Sequence, residues 1–217
     1  MKAVVINASP RKNANTAKLC KSVCDGAESN GADVEYFDLY SYNFKGCISC
    51  FACCLKKNRE NPLCVPKDDL TDILEACLEA DAIVLGSPIY LGSITAYAHA
   101  FLERLVFAAR TYCVDEEGNI ISKIQKEYKT AMIYTMNVTK EMSHLNGEGQ
   151  LEIERGFLSN IFGECETLYA YDTMQFKDYS KYLNNIFDPE HKKESNEIQF
   201  PKYMEKAYDL GQRISAQ

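Results

Sequence analysis

Five short apolar runs alternate along this chain with segments of helical period, and that alternation restricts it to a parallel sheet wrapped by helices, because parallel neighbours need a crossover and the helix supplies it. Residues 3–6, 34–38, 82–86, 129–135 and 167–171 read as strands. Residues 16–29, 95–109, 150–162 and 203–214 read as helices, with one more from Asp68 or Asp69 through Ala80. The pattern predicts an α/β fold of flavodoxin-like order 2-1-3-4-5, a doubly wound five-stranded sheet whose ligands sit beyond the carboxyl ends of the strands. With 217 residues and 46% apolar content, one core suffices, and residues 1–217 read as a single domain. Three stretches lie outside the scheme. Residues 44–67 form a cysteine-rich loop. Residues 111–124, with Asp-Glu-Glu-Gly-Asn in the middle, are either a small hairpin insertion or a polar loop. Residues 175–199 are polar, Tyr-rich and interrupted by Asp188-Pro189, and read as an extended excursion.

Charge and hydropathy remove several partners. The formal charge of -7 comes from 24 basic and 31 acidic residues, and the basic ones form no long stripe, so no nucleic-acid footprint is present. No apolar stretch approaches the roughly 20 residues that span a bilayer, so no membrane insertion is expected. The opening Met-Lys-Ala-Val-Val-Ile-Asn runs straight into a strand without a signal-peptide pattern, which predicts a cytoplasmic protein. There, ten cysteines are reduced thiols, metal ligands or catalytic groups rather than a disulfide framework.

Their clustering favours ligands. Cys47, Cys50 and Cys53 are each separated by two residues, and Cys64 follows a short loop later. Two-residue spacers let three thiolates converge from one looped backbone onto adjacent corners of a cubane, so the four cysteines predict a [4Fe-4S] cluster. Zinc is the rival metal, but structural zinc sites combine one such pair with a second pair or histidines and gain nothing from a third repeat. Free thiols or adventitious disulfides are the remaining alternative. Adjacent side chains do not easily face one centre, so Cys54 reads as a small packed hydrophobe. Cys20 and Cys24, four apart on one helix, read as core, as do Cys77, Cys113 and Cys165. His99, His144 and His191 have no metal-ligand spacing, and no Gly-x-Ser-x-Gly element points to a hydrolase.

Two further segments have the character of a cofactor cradle. Between the first strand and first helix lies Asn7-Ala8-Ser9-Pro10-Arg11-Lys12-Asn13-Ala14-Asn15-Thr16. A phosphate there meets backbone N–H groups, the hydroxyls of Ser9 and Thr16, the Arg11 fork, Asn13, Asn15 and the positive end of the helix. The alternative is a Ser-Pro turn followed by an Asn N-cap, which needs no ligand. After the third strand comes Pro88-Ile89-Tyr90-Leu91-Gly92-Ser93, where Pro88 and Gly92 shape a loop that can approach a planar ring and Tyr90 offers a stacking face. Thr135, Asn137 and their neighbours follow the fourth strand and could close over the ring edge.

Ser9-x-Arg11-x-Asn13-x-Asn15-Thr16, Ser87-Pro88-x-Tyr90-x-Gly92-Ser93 and Ala100-Phe101-Leu102-Glu103-Arg104 together resemble the NADPH-dependent FMN reductase branch of the flavodoxin superfamily. The cysteine run followed by Asp68-Asp69-Leu70 narrows the resemblance to the iron-sulfur flavoproteins, over roughly residues 1–137. It implies FMN as cofactor, NAD(P)H as a possible cosubstrate, and a homodimer or homotetramer with each cluster near a neighbouring subunit's flavin. The chain departs from the pattern at Ala96 and His99, where Gly and Lys are common, and at Glu103 in place of Asp. The spacing of ten residues between Cys53 and Cys64 is also longer than the compact one typical of the branch.

The function expected is an FMN-containing oxidoreductase with chemistry on the flavin, moving electrons between NAD(P)H or a ferredoxin-like donor and an acceptor through flavin and cluster. The first alternative is a cluster-free NAD(P)H-dependent FMN, quinone or nitro-compound reductase. The second is a non-enzymatic flavodoxin-like electron shuttle.

Overall fold

The structure is a computed structural model that describes residues 1–143 and 148–216; His144 lies outside the described residues. Strands β1 (Lys2–Asn7), β2 (Asp33–Asp38), β3 (Ala82–Pro88), β6 (Lys129–Thr135) and β7 (Cys165–Ala170) form one parallel sheet in the order β2-β1-β3-β6-β7. With a two-stranded ribbon of β4 (Arg110–Val114) and β5 (Ile120–Ser122) set aside, this is the expected order 2-1-3-4-5. The central strands are almost wholly buried, which explains why they read as continuous apolar runs rather than alternating ones.

Helices cover both faces. On one, α1 (Asn15–Ser29) and α6 (Phe200–Ser215) enclose Ala3, Val5, Leu19, Val23, Val84, Ile133 and Ile214. On the other, α2 (Thr71–Glu79), α3 (Ala96–Ala109) and α4 (Glu148–Phe162) enclose Val4, Ile6, Ile83, Leu85, Phe101, Tyr134 and Leu158. The period of two along β1 thus divides its side chains between two cores. Where α1 crosses α6 the backbones touch: a Cβ on Gly211 would stand 2.1 Å from the Val23 carbonyl oxygen, and one on Gly26 2.0 Å from that of Tyr208.

The structure decides one open reading and corrects two others. Residues 111–124 contain the hairpin, turned by Asp115, whose carboxylate accepts the N–H groups of Glu117 and Asn119. Cys113 is exposed on this ribbon rather than packed in the core, because no layer covers it there. Residues 175–199 are not extended throughout, since Pro189–Ile198 form helix α5. Asp188-Pro189 starts that helix instead of interrupting the segment: Asp188 accepts the Glu190 N–H at 3.0 Å, and proline at the first helical position gives up an N–H with no intrahelical partner to lose. Within the cysteine loop, Ala52–Cys54 and Lys56–Asn58 form single tight turns. No described helix is long and apolar enough to cross a membrane.

Gly211→Ala should cost about 1–3 kcal/mol in urea denaturation, since its Cβ would meet backbone that cannot yield. Gly156→Ala on α4, with nothing within 4 Å, should be neutral or gain up to about 1 kcal/mol. Equal effects at the two sites would show that α1 and α6 do not pack backbone to backbone.

Candidate functional site

The carboxyl ends of β1, β3, β6 and β7 open onto one cavity of about 330 Å³. Ser9, Arg11, Asn15 and Thr16 line it from the first loop, Pro88, Ile89 and Tyr90 from the second, and Thr135 and Asn137 from the third. Asn13, Leu91, Gly92 and Ser93 stand outside its wall. The N-terminus of α1 faces this end of the sheet with Ala14 at the N-cap position and no side-chain cap. Asn15, which a plain turn-and-helix reading would make the cap, instead sends its amide to the Met174 carbonyl at 3.0 Å. The first-turn N–H groups therefore lack the side-chain oxygen that usually occupies them, which is the arrangement an anion fills. Deeper in, the buried hydroxyls of Thr16 and Thr135 pair at 2.7 Å.

Beyond Pro88 the chain reverses tightly, with Tyr90 and Ser93 exchanging backbone hydrogen bonds at 2.8 and 3.2 Å. Leu91 and Gly92, the two central residues, both have positive φ, 53° and 81°. A glycine adopts this freely, whereas Leu91 is held in a conformation that costs a side-chain residue about 1–2 kcal/mol. The turn is clamped from below. The Ser93 hydroxyl donates to Glu154 Oε1 at 2.6 Å and accepts from His99 Nε2 at 2.7 Å, and Glu154 is fully buried. Its hydrogen bond with Glu154 raises the pKa of His99 above the ordinary 6.5, against the opposing effect of burial. Ser93 thus fixes the turn that presents Tyr90 instead of lining the cavity.

Sequence reasoning missed the fourth wall. Met136 lines the cavity from the expected third loop, and the missed wall consists of Thr173, Gln175 and Phe176. The last three come from the segment after β7, where Arg11 donates to the Gln175 carbonyl at 2.7 Å and Asn137 to its side-chain oxygen at 2.7 Å. The rule that pointed to the ends of β1, β3 and β6 applies equally to the end of β7, and Phe176 was the visible aromatic there.

A second cavity, about 300 Å³, lies beside α3. Cys47, Cys50, Cys53 and Cys64 all line it, while Cys54 is exposed outside rather than packed. Positive φ at Ser49 and Phe51 turns the backbone between the first three thiols. Burial pushes the Cys64 thiol up, opposed by the adjacent Arg104 guanidinium, with Cys47 and Cys50 adding to the rise. Cys53 is pushed up to about 11, first by burial and then by its contact with Cys54. Among the described residues, no three Cys, His, Asp or Glu side chains stand close enough to hold a single metal ion. Four thiols around one cavity are the kind of donor set that a [4Fe-4S] cluster takes. None of the ten cysteines lines the first cavity.

A family model described as NADPH-dependent FMN reductase matches residues 1–131. The chain is 30% identical over 160 residues to an iron-sulfur flavoprotein of Methanosarcina thermophila, covering 68% of this chain and 81% of that one. An iron-sulfur flavoprotein of Methanocaldococcus jannaschii is 33% identical over 104 residues, 48% of this chain and 51% of the relative. The chain spans about half the length of that relative and of two from Archaeoglobus fulgidus. Among solved structures, an NAD(P)H:quinone oxidoreductase from Methanothermobacter marburgensis superposes with a TM-score of 0.70 over 99% of this chain and 98% of that one, at 19% identity, a likeness of fold.

The raised His99 pKa has a definite sign. Its pairing with Glu154 stabilises the fold fully below pH 6.5 and is lost as pH rises through the raised value. The stability difference between the native protein and His99→Gln should therefore be larger at pH 6 than at pH 9 in urea denaturation. A difference that does not change with pH would show that the pair does not form.

Proposed function

The chain belongs to the NADPH-dependent FMN reductase family, in its iron-sulfur flavoprotein branch, and from that premise we propose that it is an FMN-containing oxidoreductase carrying a [4Fe-4S] cluster on Cys47, Cys50, Cys53 and Cys64. It moves electrons between NAD(P)H or a ferredoxin-like protein and an acceptor. The observation that carries this reading is the convergence of four thiols from both ends of the cysteine loop on one cavity.

Each wall of the first cavity has a part in holding FMN. The uncapped start of α1, with Ser9, Arg11, Asn15 and Thr16, takes the phosphate, and Asn13 stands just outside. Pro88, Ile89 and Tyr90 border the ring, and Leu91, Gly92 and Ser93 form the turn that sets their position. Thr135, Asn137 and Phe176 close the remaining sides and exclude water. FMN, when bound, accepts a hydride and gives up electrons singly, which is the match a one-electron cluster needs. No side chain has to act as a general acid.

One domain in a reducing cytoplasm suits this chemistry. A homodimer or homotetramer belongs to the same reading: Ile48, Phe51, Tyr112, Val114, Ile120 and Ile121 are exposed on the cysteine loop and the neighbouring hairpin, an apolar surface suited to association. A cluster-free quinone or nitro-compound reductase is the second reading, in which the first cavity, which no cysteine lines, works alone.

Purified without oxygen, the protein should contain about four irons and four sulfides with one FMN per chain. Flavin without iron, even after anaerobic reconstitution, would select the second reading. Arg11→Ala should weaken FMN binding by about tenfold or more, as expected for lost hydrogen bonds to a charged group, in a fluorescence titration of the apoprotein. Unchanged affinity would remove Arg11 from the phosphate site.

A further inference from the structure

Helix α3 holds an arginine that the flavin cavity does not use. Arg104 is only 4% exposed, and the acceptors it meets match its donors in number. Its Nε donates to Cys64 Sγ at 2.8 Å. The terminal nitrogens donate to the Lys45 carbonyl at 3.0 Å, the Pro66 carbonyl at 2.9 Å, and both oxygens of Asp68 at 2.8 and 3.2 Å. Lys45 lies two residues before Cys47 and Pro66 two after Cys64, so one guanidinium ties the two ends of the cysteine loop. The preceding residue completes the grip: Glu103 accepts the Cys47 N–H at 2.9 Å.

A purely structural staple would be satisfied by the two carbonyls and Asp68. Directing Nε at a sulfur that also lines the thiol cavity does something more. A hydrogen bond to a ligand sulfur withdraws electron density, favours the more negative reduced cluster and raises its potential. We propose that Arg104 is the positioning residue of the cysteine cavity: it seats Cys64 as the fourth ligand across the long spacing from Cys53 and holds the cluster potential up through the N–H···S contact. This rests on the reading of the four cysteines as cluster ligands.

Arg104→Lys keeps a positive charge for Asp68 but loses the fork, so the test compares it with the native holoprotein after anaerobic purification. FMN content and circular dichroism should be unchanged. Iron loss to a chelator should accelerate about tenfold or more, and the midpoint in an EPR-monitored redox titration should move to a more negative value. Native iron retention and potential in the variant would overturn the proposal. If the variant does not fold, pulsed EPR of the reduced native protein labelled with 15N-arginine replaces it: a nitrogen coupling to the cluster is expected, and its absence overturns the proposal. A native protein that binds no iron would instead overturn the cluster reading itself, and the proposal with it, before any variant is compared.

Discussion

A parallel sheet covered by helices on both faces leaves a ligand no room within its layers and directs it to the loops beyond the carboxyl ends of the strands. Burial of β1, β3 and β6 on both sides fixes this, since the interior is packed without room for a cofactor. Everything chemical in the chain is consequently built on the loops that leave those ends. The loops are made rigid by contacts of different kinds: a hydroxyl pair between Thr16 and Thr135, the Ser93–Glu154 clamp under the tight turn, and the hydrogen bond from the Thr95 hydroxyl to the Ala8 carbonyl at 2.9 Å, which joins the first loop to the second.

The cysteine loop faces a harder problem, because it is long and leaves the sheet from its edge strand β2. Two cations hold it in place. Arg104 binds its ends, and Lys123, at the foot of the hairpin, donates to the carbonyls of Cys53, Asn61 and Ala108 at 2.8, 3.1 and 2.9 Å. Carbonyl capture of this sort fixes a backbone without demanding regular structure from it. It also gives the hairpin a purpose in the fold: its end carries the lysine that anchors the loop to α3.

Strand order, both helical layers and the loops that meet at the first cavity were legible from hydrophobic period and turn chemistry, because those elements are fixed locally. Ser9, Arg11 and Tyr90 lie in short loops, and Thr16 and Thr135 at the adjoining helix start and strand end, so their position follows from strand and helix boundaries alone. What escaped has a nonlocal cause. Arg104 reads as one more residue on an amphipathic helix, and only the return of residues 45, 64, 66 and 68 to α3 reveals its role. Leu91, Gly92 and Ser93 have the right composition for a ring-facing loop, but the tight reversal leaves them outside the cavity wall. Phe176 and Gln175 escaped because a polar, Tyr-rich stretch carries no period from which to read a wall.

That wall depends on a buried charge. Lys192 on α5 is almost completely enclosed, and an ammonium in such a place requires a paired anion. Asp172 supplies it, together with the Asn137 carbonyl, and His191 reaches the second Asp172 oxygen at 2.8 Å. Burial works to raise the Asp172 pKa, but the hydrogen bonds from Lys192, Ser195 and His191 outweigh it and hold the carboxyl below the usual range. Asp172 therefore stays ionised at neutral pH, and α5 is pinned against the strand ends. Asp172 immediately precedes the segment that takes up Arg11 and Asn15, so the same lysine that satisfies its charge on Asp172 also helps to hold those two side chains at the cavity wall. Ordering them in advance lowers the entropic cost of binding. A polar excursion with no strand and little core thus becomes part of the site.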